Sequence, residues 1–85
     1  MTGVPETIAL RAALADQIRR ARKRRALSQE ELAWRSGLHR TYVSMVERAQ
    51  RSLTVDSLDK IATALGVSAS ALLRRAEKSR TSRKP

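Results

Sequence analysis

Basic side chains are the residues of this 85-residue chain whose number and placement most clearly predict a chemistry. Lysine and arginine number 18 against 8 acidic residues, a formal net charge of +10 at pH 7. Most of the excess lies in segments 11–25 and 74–85, whereas 26–73 holds five basic and five acidic residues. This uneven basicity favours a polyanionic partner. Charge alone leaves one alternative open, a solvated surface that keeps a small protein soluble.

The chain has few of the residue types that catalytic and metal-binding sites use. The chain has no cysteine and a single histidine, His39. Disulfides, conventional zinc sites and histidine-based catalytic triads are therefore hard to build. No group of nucleophile, base and orienting residue is recognisable. We expect a protein that is not an enzyme and has no metal, no other cofactor and no small-molecule ligand.

Helices must position the basic side chains. Alanine and leucine are abundant, phenylalanine is absent and runs of β-branched residues are missing, which favours an all-α fold. Apolar spacing predicts five helices, over about 6–25, 29–36, 40–48, 55–65 and 69–75. Residues 1–5 are then a flexible arm, 6–75 the domain, and 76–85 a basic tail that we expect to be disordered.

Short polar and glycine signals mark the ends of these helices. Ser28, followed three residues later by Glu31, is a capping box, and Thr54 and Ser68 are good N-caps. Gly37 suits the left-handed turn after the second helix. Two short helices joined by a glycine turn, within a five-helix chain, predict a helix-turn-helix.

Membrane attachment and export are not indicated. No apolar run is long enough to span a bilayer, and residues 1–12 lack a signal-peptide pattern. Segment 6–25 is basic and amphipathic, as membrane-surface helices are, but its apolar stripe is needed for the core. We expect a cytoplasmic protein without a membrane partner.

Several short strings carry a family resemblance. They are LSQEELA at 27–33, SGL at 36–38, YVS at 42–44, VER at 46–48 and ALGVS at 64–68. Together they resemble the lambda-repressor-like (Cro and phage-repressor, XRE) helix-turn-helix family. Within it, HRTYVS at 39–44 followed by VER is similar to the controller proteins of restriction–modification systems. The resemblance implies a compact five-helix DNA-binding domain with its third helix in the major groove, acting in transcription regulation.

The resemblance also implies which residues read bases. Arg40 and Thr41 lie in the first turn of the third helix, where arginine can bond bidentately to guanine and threonine can contact thymine. Arg51 matches a controller-protein position that reaches bases. Met45 occupies a base-reading position at which it offers only an apolar contact.

The resemblance also implies which residues bind phosphate groups and which position the third helix. The implied phosphate ligands are Gln29, Tyr42, Ser44 and Arg48. For Tyr42 two interpretations stay open, packing of its ring against the second helix or contact with a deformed DNA backbone. Arg22 and Glu47 match a family ion pair that ties the first helix to the third. The other basic residues of 19–25 are expected to be partly solvated and partly along flanking phosphates.

One residue departs from the family pattern. After Glu-Arg the family commonly has glycine or asparagine, whereas this chain has Ala49. A left-handed backbone there would strain alanine by about 1 kcal/mol or more. We therefore expect the loop 49–53, which includes Arg51, to differ from the family.

A dimer follows from the small number of base contacts. Two or three contacts cannot select one site in a genome, whereas a two-fold dimer doubles them and reads a pseudo-palindromic operator with half-sites roughly 34 Å apart. Family members of this size dimerise through their last helices, so Leu72 and Leu73 are the interface candidates; the alternative is that both belong to the core. Other function classes are an antitoxin-type regulator that also binds a toxin, and a non-specific nucleoid or RNA-binding protein.

Overall fold

The computed structural model describes residues 6–82, and in that range it consists of five α-helices and no strand. The helices are α1 (Glu6–Arg24), α2 (Gln29–Ser36), α3 (Arg40–Glu47), α4 (Val55–Leu65) and α5 (Ala69–Ser82). The predicted all-α class and helix number are confirmed. The predicted arm 1–5 and residues 83–85 of the predicted tail lie outside the described residues. None of the five helices has the length and apolar character needed to cross a membrane.

The end of α5 differs from the prediction. The helix continues to Ser82 instead of ending near Arg75, so residues 76–82 of the predicted disordered tail are helical. Ala76 is completely buried, and α5 packs chiefly against α1. Packing of one buried face stabilises a helix whose polar composition alone would not. This tertiary contact is the reason that the sequence-based boundary is wrong.

The core draws side chains from all five helices. Its fully buried large members are Ile18, Leu32, Val43, Ile61, Leu65 and Leu72. Leu72 is therefore corrected from an interface candidate to a core residue, because a side chain with no exposed surface has none to bury against a partner. Leu73 is only partly buried and packs against the core from its edge.

Four helices end at a residue with left-handed backbone, and two of these residues are alanines. Gly37 and Gly66 have φ of 73° and 75°, whereas Ala26 and Ala49 have φ of 57° and 59°. The left-handed conformation suspected at Ala49 is thus present. No glycine or asparagine marks position 26, and the sequence analysis did not identify it.

The hydrogen bonds at the end of α3 explain why alanine is held in this conformation. Ala49 N–H donates to the Val46 carbonyl at 3.0 Å, and Gln50 N–H donates to the Met45 carbonyl at 2.8 Å. These two bonds form a Schellman motif, which satisfies the last carbonyls of a helix but requires a left-handed residue. The backbone strain at Ala49 is thus offset by satisfied carbonyls.

Replacing Ala26 or Ala49 by glycine should raise the free energy of unfolding, by up to about 1.6 kcal/mol at each site. Left-handed backbone costs an L-residue roughly 1–2 kcal/mol, and the extra freedom of glycine in the unfolded chain removes about 0.4–1 kcal/mol of the gain. Urea denaturation measures the change. The control is Ala12→Gly, on the exposed face of α1, which should lower stability by about 0.5–1 kcal/mol. A similar decrease at positions 26 and 49 would contradict the argument.

Candidate nucleic-acid interface

The capping box places the first turn of α2. Ser28 Oγ accepts from Glu31 N–H at 3.0 Å, and a Glu31 carboxylate oxygen accepts from Ser28 N–H at 2.8 Å. The bonds from the Ser28 amide and hydroxyl hold the pKa of Glu31 below its ordinary value. Because the pKa of Glu31 is lower in the folded chain, the ionised cap stabilises the fold fully at pH values above the ordinary carboxyl pKa. This contribution is lost as the pH falls through the lowered pKa. α2 accordingly begins at Gln29, as predicted.

One face of α3 is buried and the opposite face is open. Val43, Val46 and Glu47 are buried. The open face carries five of the predicted site residues, which are Arg40, Thr41, Ser44, Met45 and Arg48. Arg40, Thr41 and Arg48 are exposed, whereas Ser44 and Met45 are half-buried. The open face therefore offers two arginines with two hydroxyls and a thioether between them.

A buried ion pair ties α3 to α1. Arg22 Nε donates to Glu47 Oε2 at 2.6 Å, and Arg22 Nη2 donates to Glu47 Oε1 at 2.9 Å. Arg22 Nη1 also donates to the Leu27 carbonyl at 2.8 Å. Glu47 is only 3% exposed, and its hydrogen bonds raise the pKa of Arg22 above the ordinary value. The pair therefore holds the end of α3 against α1.

Two further side chains converge on Glu47, and the sequence analysis missed both contacts. Gln29 Nε2 donates to Glu47 Oε1 at 3.0 Å, and Arg19 Nη1 donates to the Glu47 backbone carbonyl at 2.8 Å. The first bond links the start of α2 to α3, and the second satisfies a carbonyl at the end of α3. The second hydrogen of Gln29 Nε2 is left to donate elsewhere, as a phosphate ligand must.

The basic segment of α1 is partly engaged in contacts within the chain. Asp16 pairs with Arg19 at 2.6 Å and with Arg20 at 2.8 Å. Arg25 Nη1 donates to the Leu65 carbonyl at 3.1 Å, at the end of α4. The spacing of Asp16, three and four residues before the two arginines, is the signal that could have predicted its pairs. Less of this positive charge is thus available to a partner than the sequence count suggests.

A trough of about 550 Å³ separates the first turns of α3 from the segment that follows it. Four predicted site residues line it together, namely Thr41, Tyr42, Met45 and Arg51. The Arg51 guanidinium lies over the Tyr42 ring, 5.6 Å from its centroid. Tyr42 Oη donates to the Ser52 carbonyl at 3.4 Å. Arg40, Ser44, Arg48 and Gln29 do not line the trough, so the predicted site residues divide between the trough and the surface around it.

Comparisons with known proteins identify the family of this chain. The model of the helix-turn-helix family HTH_3 matches residues 18–72, which include α2, the Gly37 turn and α3. The chain belongs to the HTH_3 (XRE-type) helix-turn-helix family. Members of HTH_3 are transcription-regulating DNA-binding domains and not enzymes. This chain is an HTH_3 transcriptional regulator close to the controller proteins of restriction–modification systems.

Similar proteins include two bacterial regulators and one solved controller structure. A hypothetical transcription factor of Neisseria meningitidis is 47% identical over 82% of this chain, and the match spans 66% of that protein. Control protein C.SmaI of Serratia marcescens is 48% identical over 73% of this chain and 74% of its own length. The restriction–modification controller protein C.AhdI of Aeromonas hydrophila superposes with a TM-score of 0.72 at 40% identity, over 73% of this chain and 94% of C.AhdI.

Proposed function

We propose that this HTH_3 protein binds one double-stranded DNA sequence as a homodimer, with α3 of each copy in the major groove. The observation that carries the proposal is the open first turn of α3. Arg40 and Thr41 are exposed there, while Glu47, at the other end of the helix, is held by side chains from α1 and α2. A helix fixed at one end and open at its N-terminal half is the arrangement by which helix-turn-helix proteins read base edges.

The open surface divides into base-reading and phosphate-binding groups. Arg40 and Thr41 are proposed to contact base edges, with Arg51 and Met45 adding contacts from the trough. The proposed phosphate ligands are Gln29, Ser44 and Arg48. Gln29 suits that role because it stands at the start of α2, where backbone N–H groups attract an anion. Phosphate contacts set the register of the protein on the duplex, and base contacts set the sequence.

The regulated system is proposed to be a restriction–modification system. C.SmaI and C.BamHI are named control proteins, and they are 48% and 49% identical to this chain over the matched residues. The regulator would act in the cytoplasm by binding a promoter, where it either blocks RNA polymerase or recruits it.

Selection from a randomised duplex pool at physiological salt tests the proposed function. The protein is mixed with the pool, and the bound fraction is recovered and sequenced. We expect a two-fold symmetric motif with half-sites about one helical turn, roughly 34 Å, apart. An unenriched pool, with an affinity that only falls as salt rises, would show phosphate binding alone and overturn the proposal. A motif without two-fold symmetry would overturn the homodimer.

The homodimer surface is proposed to be a second groove, which adjoins the trough at segment 51–54. This groove has a volume of about 340 Å³ and lies between α1, segment 51–55, α4 and α5. Its apolar lining residues are Leu10, Leu14, Ala15, Val46, Leu53, Val55, Leu58 and Leu73. Val55 is 82% exposed, and Leu73 retains part of the role predicted for the last helices. A second copy is the occupant that a pseudo-palindromic site requires.

Val55→Glu should convert the dimer to monomers and lower operator affinity, because it places a charge in the apolar groove. Val55 is the first residue of α4, where a negative side chain is compatible with the helix dipole, so the fold should be retained. Sedimentation and operator titration measure the two effects, and circular dichroism checks the fold. Thr63→Glu is the control: it adds the same charge to an exposed position of α4 that does not line the groove. A Val55→Glu protein that remains dimeric would exclude this surface.

A further inference from the structure

Tyr42 contacts two consecutive residues of the segment that joins α3 to α4. Its ring lies beneath the Arg51 guanidinium, 5.6 Å from centroid to guanidinium carbon, and its hydroxyl donates to the Ser52 carbonyl at 3.4 Å. Tyr42 is half-buried and packs against the core, whereas Arg51 is exposed. Tyr42, which is anchored on α3, thus supports the long and exposed side chain of Arg51 on the neighbouring segment.

Few backbone contacts hold the middle of this segment. Its two ends are secured, one by the Schellman motif at Ala49 and the other by Leu53, which packs against the core. The last backbone hydrogen bond of that turn joins Gln50 to Met45. In the described part of the chain, the N–H groups of residues 51–53 make no backbone hydrogen bond. Between those ends, the contacts of Tyr42 with Arg51 and Ser52 are the side-chain contacts that restrain the segment.

The cation–π contact leaves the N–H donors of Arg51 open. A guanidinium has five N–H donors, and in the described residues none of those of Arg51 makes a hydrogen bond or an ion pair. The donors therefore remain available for a bidentate contact with guanine, while the ring removes part of the rotational freedom that arginine would otherwise lose on binding. The cation–π contact with Tyr42 thus prepares Arg51 for base contact without occupying its donors.

We propose that Tyr42 is a positioning residue that acts through Arg51 and so helps to set the base preference of the protein. The inference rests on the proposed function. Tyr42 itself need not touch a base or a phosphate. Arg51 lines both the trough and the groove proposed as the dimer surface, so the base pairs it reads lie at the inner end of each half-site, toward the two-fold axis.

Operator binding by Tyr42→Phe, Tyr42→Leu and Arg51→Ala tests the proposal. For each variant, affinity is measured for the selected operator and for operators substituted at each base pair. The dependence of operator affinity on salt concentration is measured as well. Tyr42→Leu should lower operator affinity roughly 5- to 30-fold, because it removes two exposed cation–π contacts per dimer. It should also weaken the base preference at the same inner base pairs as Arg51→Ala does. Tyr42→Phe retains the ring and should retain the preference. The double variant Tyr42→Leu/Arg51→Ala should lose no more preference than Arg51→Ala.

A second measurement uses the free protein. In the nuclear magnetic resonance spectrum of wild type and Tyr42→Phe, the Arg51 side-chain protons should show ring-current shifts that Tyr42→Leu abolishes. Unshifted Arg51 protons in the wild type would overturn the proposal irrespective of DNA.

The binding outcomes separate the inference from the function on which it rests. A wild-type protein that selects no motif overturns both. A wild-type motif that Tyr42→Leu leaves unchanged overturns the inference alone. A uniform loss of affinity for all sequences, with a smaller salt slope, would make Tyr42 a phosphate ligand and would also overturn it.

Discussion

Replacing Arg40 by alanine is expected to weaken binding to the selected operator by about 2–6 kcal/mol, a loss of at least ~30-fold. One bidentate arginine–guanine contact contributes about 1–3 kcal/mol of discrimination, and a dimer makes two of them. Arg40 is exposed in the first turn of α3, so its removal leaves the core intact. Binding to scrambled duplexes should change far less. Titration of selected and scrambled DNA at one salt concentration measures both effects.

Two control variants separate the guanidinium contact from charge. Arg35→Ala removes the same charge from an exposed position at the end of α2 and should affect the two DNAs equally and weakly. Arg40→Lys keeps the charge but loses the planar pair of donors, and should therefore lose most of the discrimination. If Arg35→Ala impairs operator selection as much as Arg40→Ala, the base-reading role of Arg40 must be abandoned.

Replacing Arg22 by methionine is expected to lower the free energy of unfolding by about 3–5 kcal/mol. The variant leaves the Glu47 carboxylate, only 3% exposed, without its ionic partner, and an uncompensated buried charge is costly. A chain of 85 residues is stable by about 4–13 kcal/mol in total, so the loss can approach complete unfolding. Urea denaturation followed by circular dichroism provides the measurement.

Two control variants complete this experiment, one that removes both partners of the buried pair and one that breaks a pair on the surface. Arg22→Met/Glu47→Leu removes both charges and should be more stable than Arg22→Met alone, because no buried charge remains. Arg20→Met breaks the pair with Asp16, in which the Arg20 side chain is 64% exposed, and should cost less than about 1 kcal/mol. Equal losses for Arg22→Met and Arg20→Met would show that burial of Glu47 does not determine the strength of its pair.

The same double variant addresses function as well as stability. The Glu47 carboxylate, at the end of α3, accepts a hydrogen bond from Gln29, the proposed phosphate ligand of α2. One carboxylate thus positions both a phosphate ligand and the helix that reads bases. Where the double variant folds, its α3 has lost this link to α2 and the ionic link to α1. We therefore expect weaker operator binding from a protein whose base-reading residues are all present. The buried pair would then contribute to DNA recognition by placing α3.

Much of the fold was predictable because its determinants are local. Ser28 and Glu31 mark the start of α2 within four residues of sequence, and Thr54 caps α4 through the Ser57 amide in the same way. The four-residue spacing of Leu10, Leu14 and Ile18 identifies the face of α1 that meets the core. Such signals need no knowledge of distant residues. The open face of α3 was predictable for the same reason.

Local sequence patterns were enough to predict the five helices, the open face of α3 and the family. How that face is held, and where α5 ends, depends on contacts between helices. The bond from Gln29 to Glu47 joins residues 18 apart in sequence, and that from Arg19 to the Glu47 carbonyl spans 28. Arg51 over Tyr42 and the buried Ala76 likewise depend on segments that meet only in the folded chain. Local patterns carry no information on such distances, because packing between helices sets them.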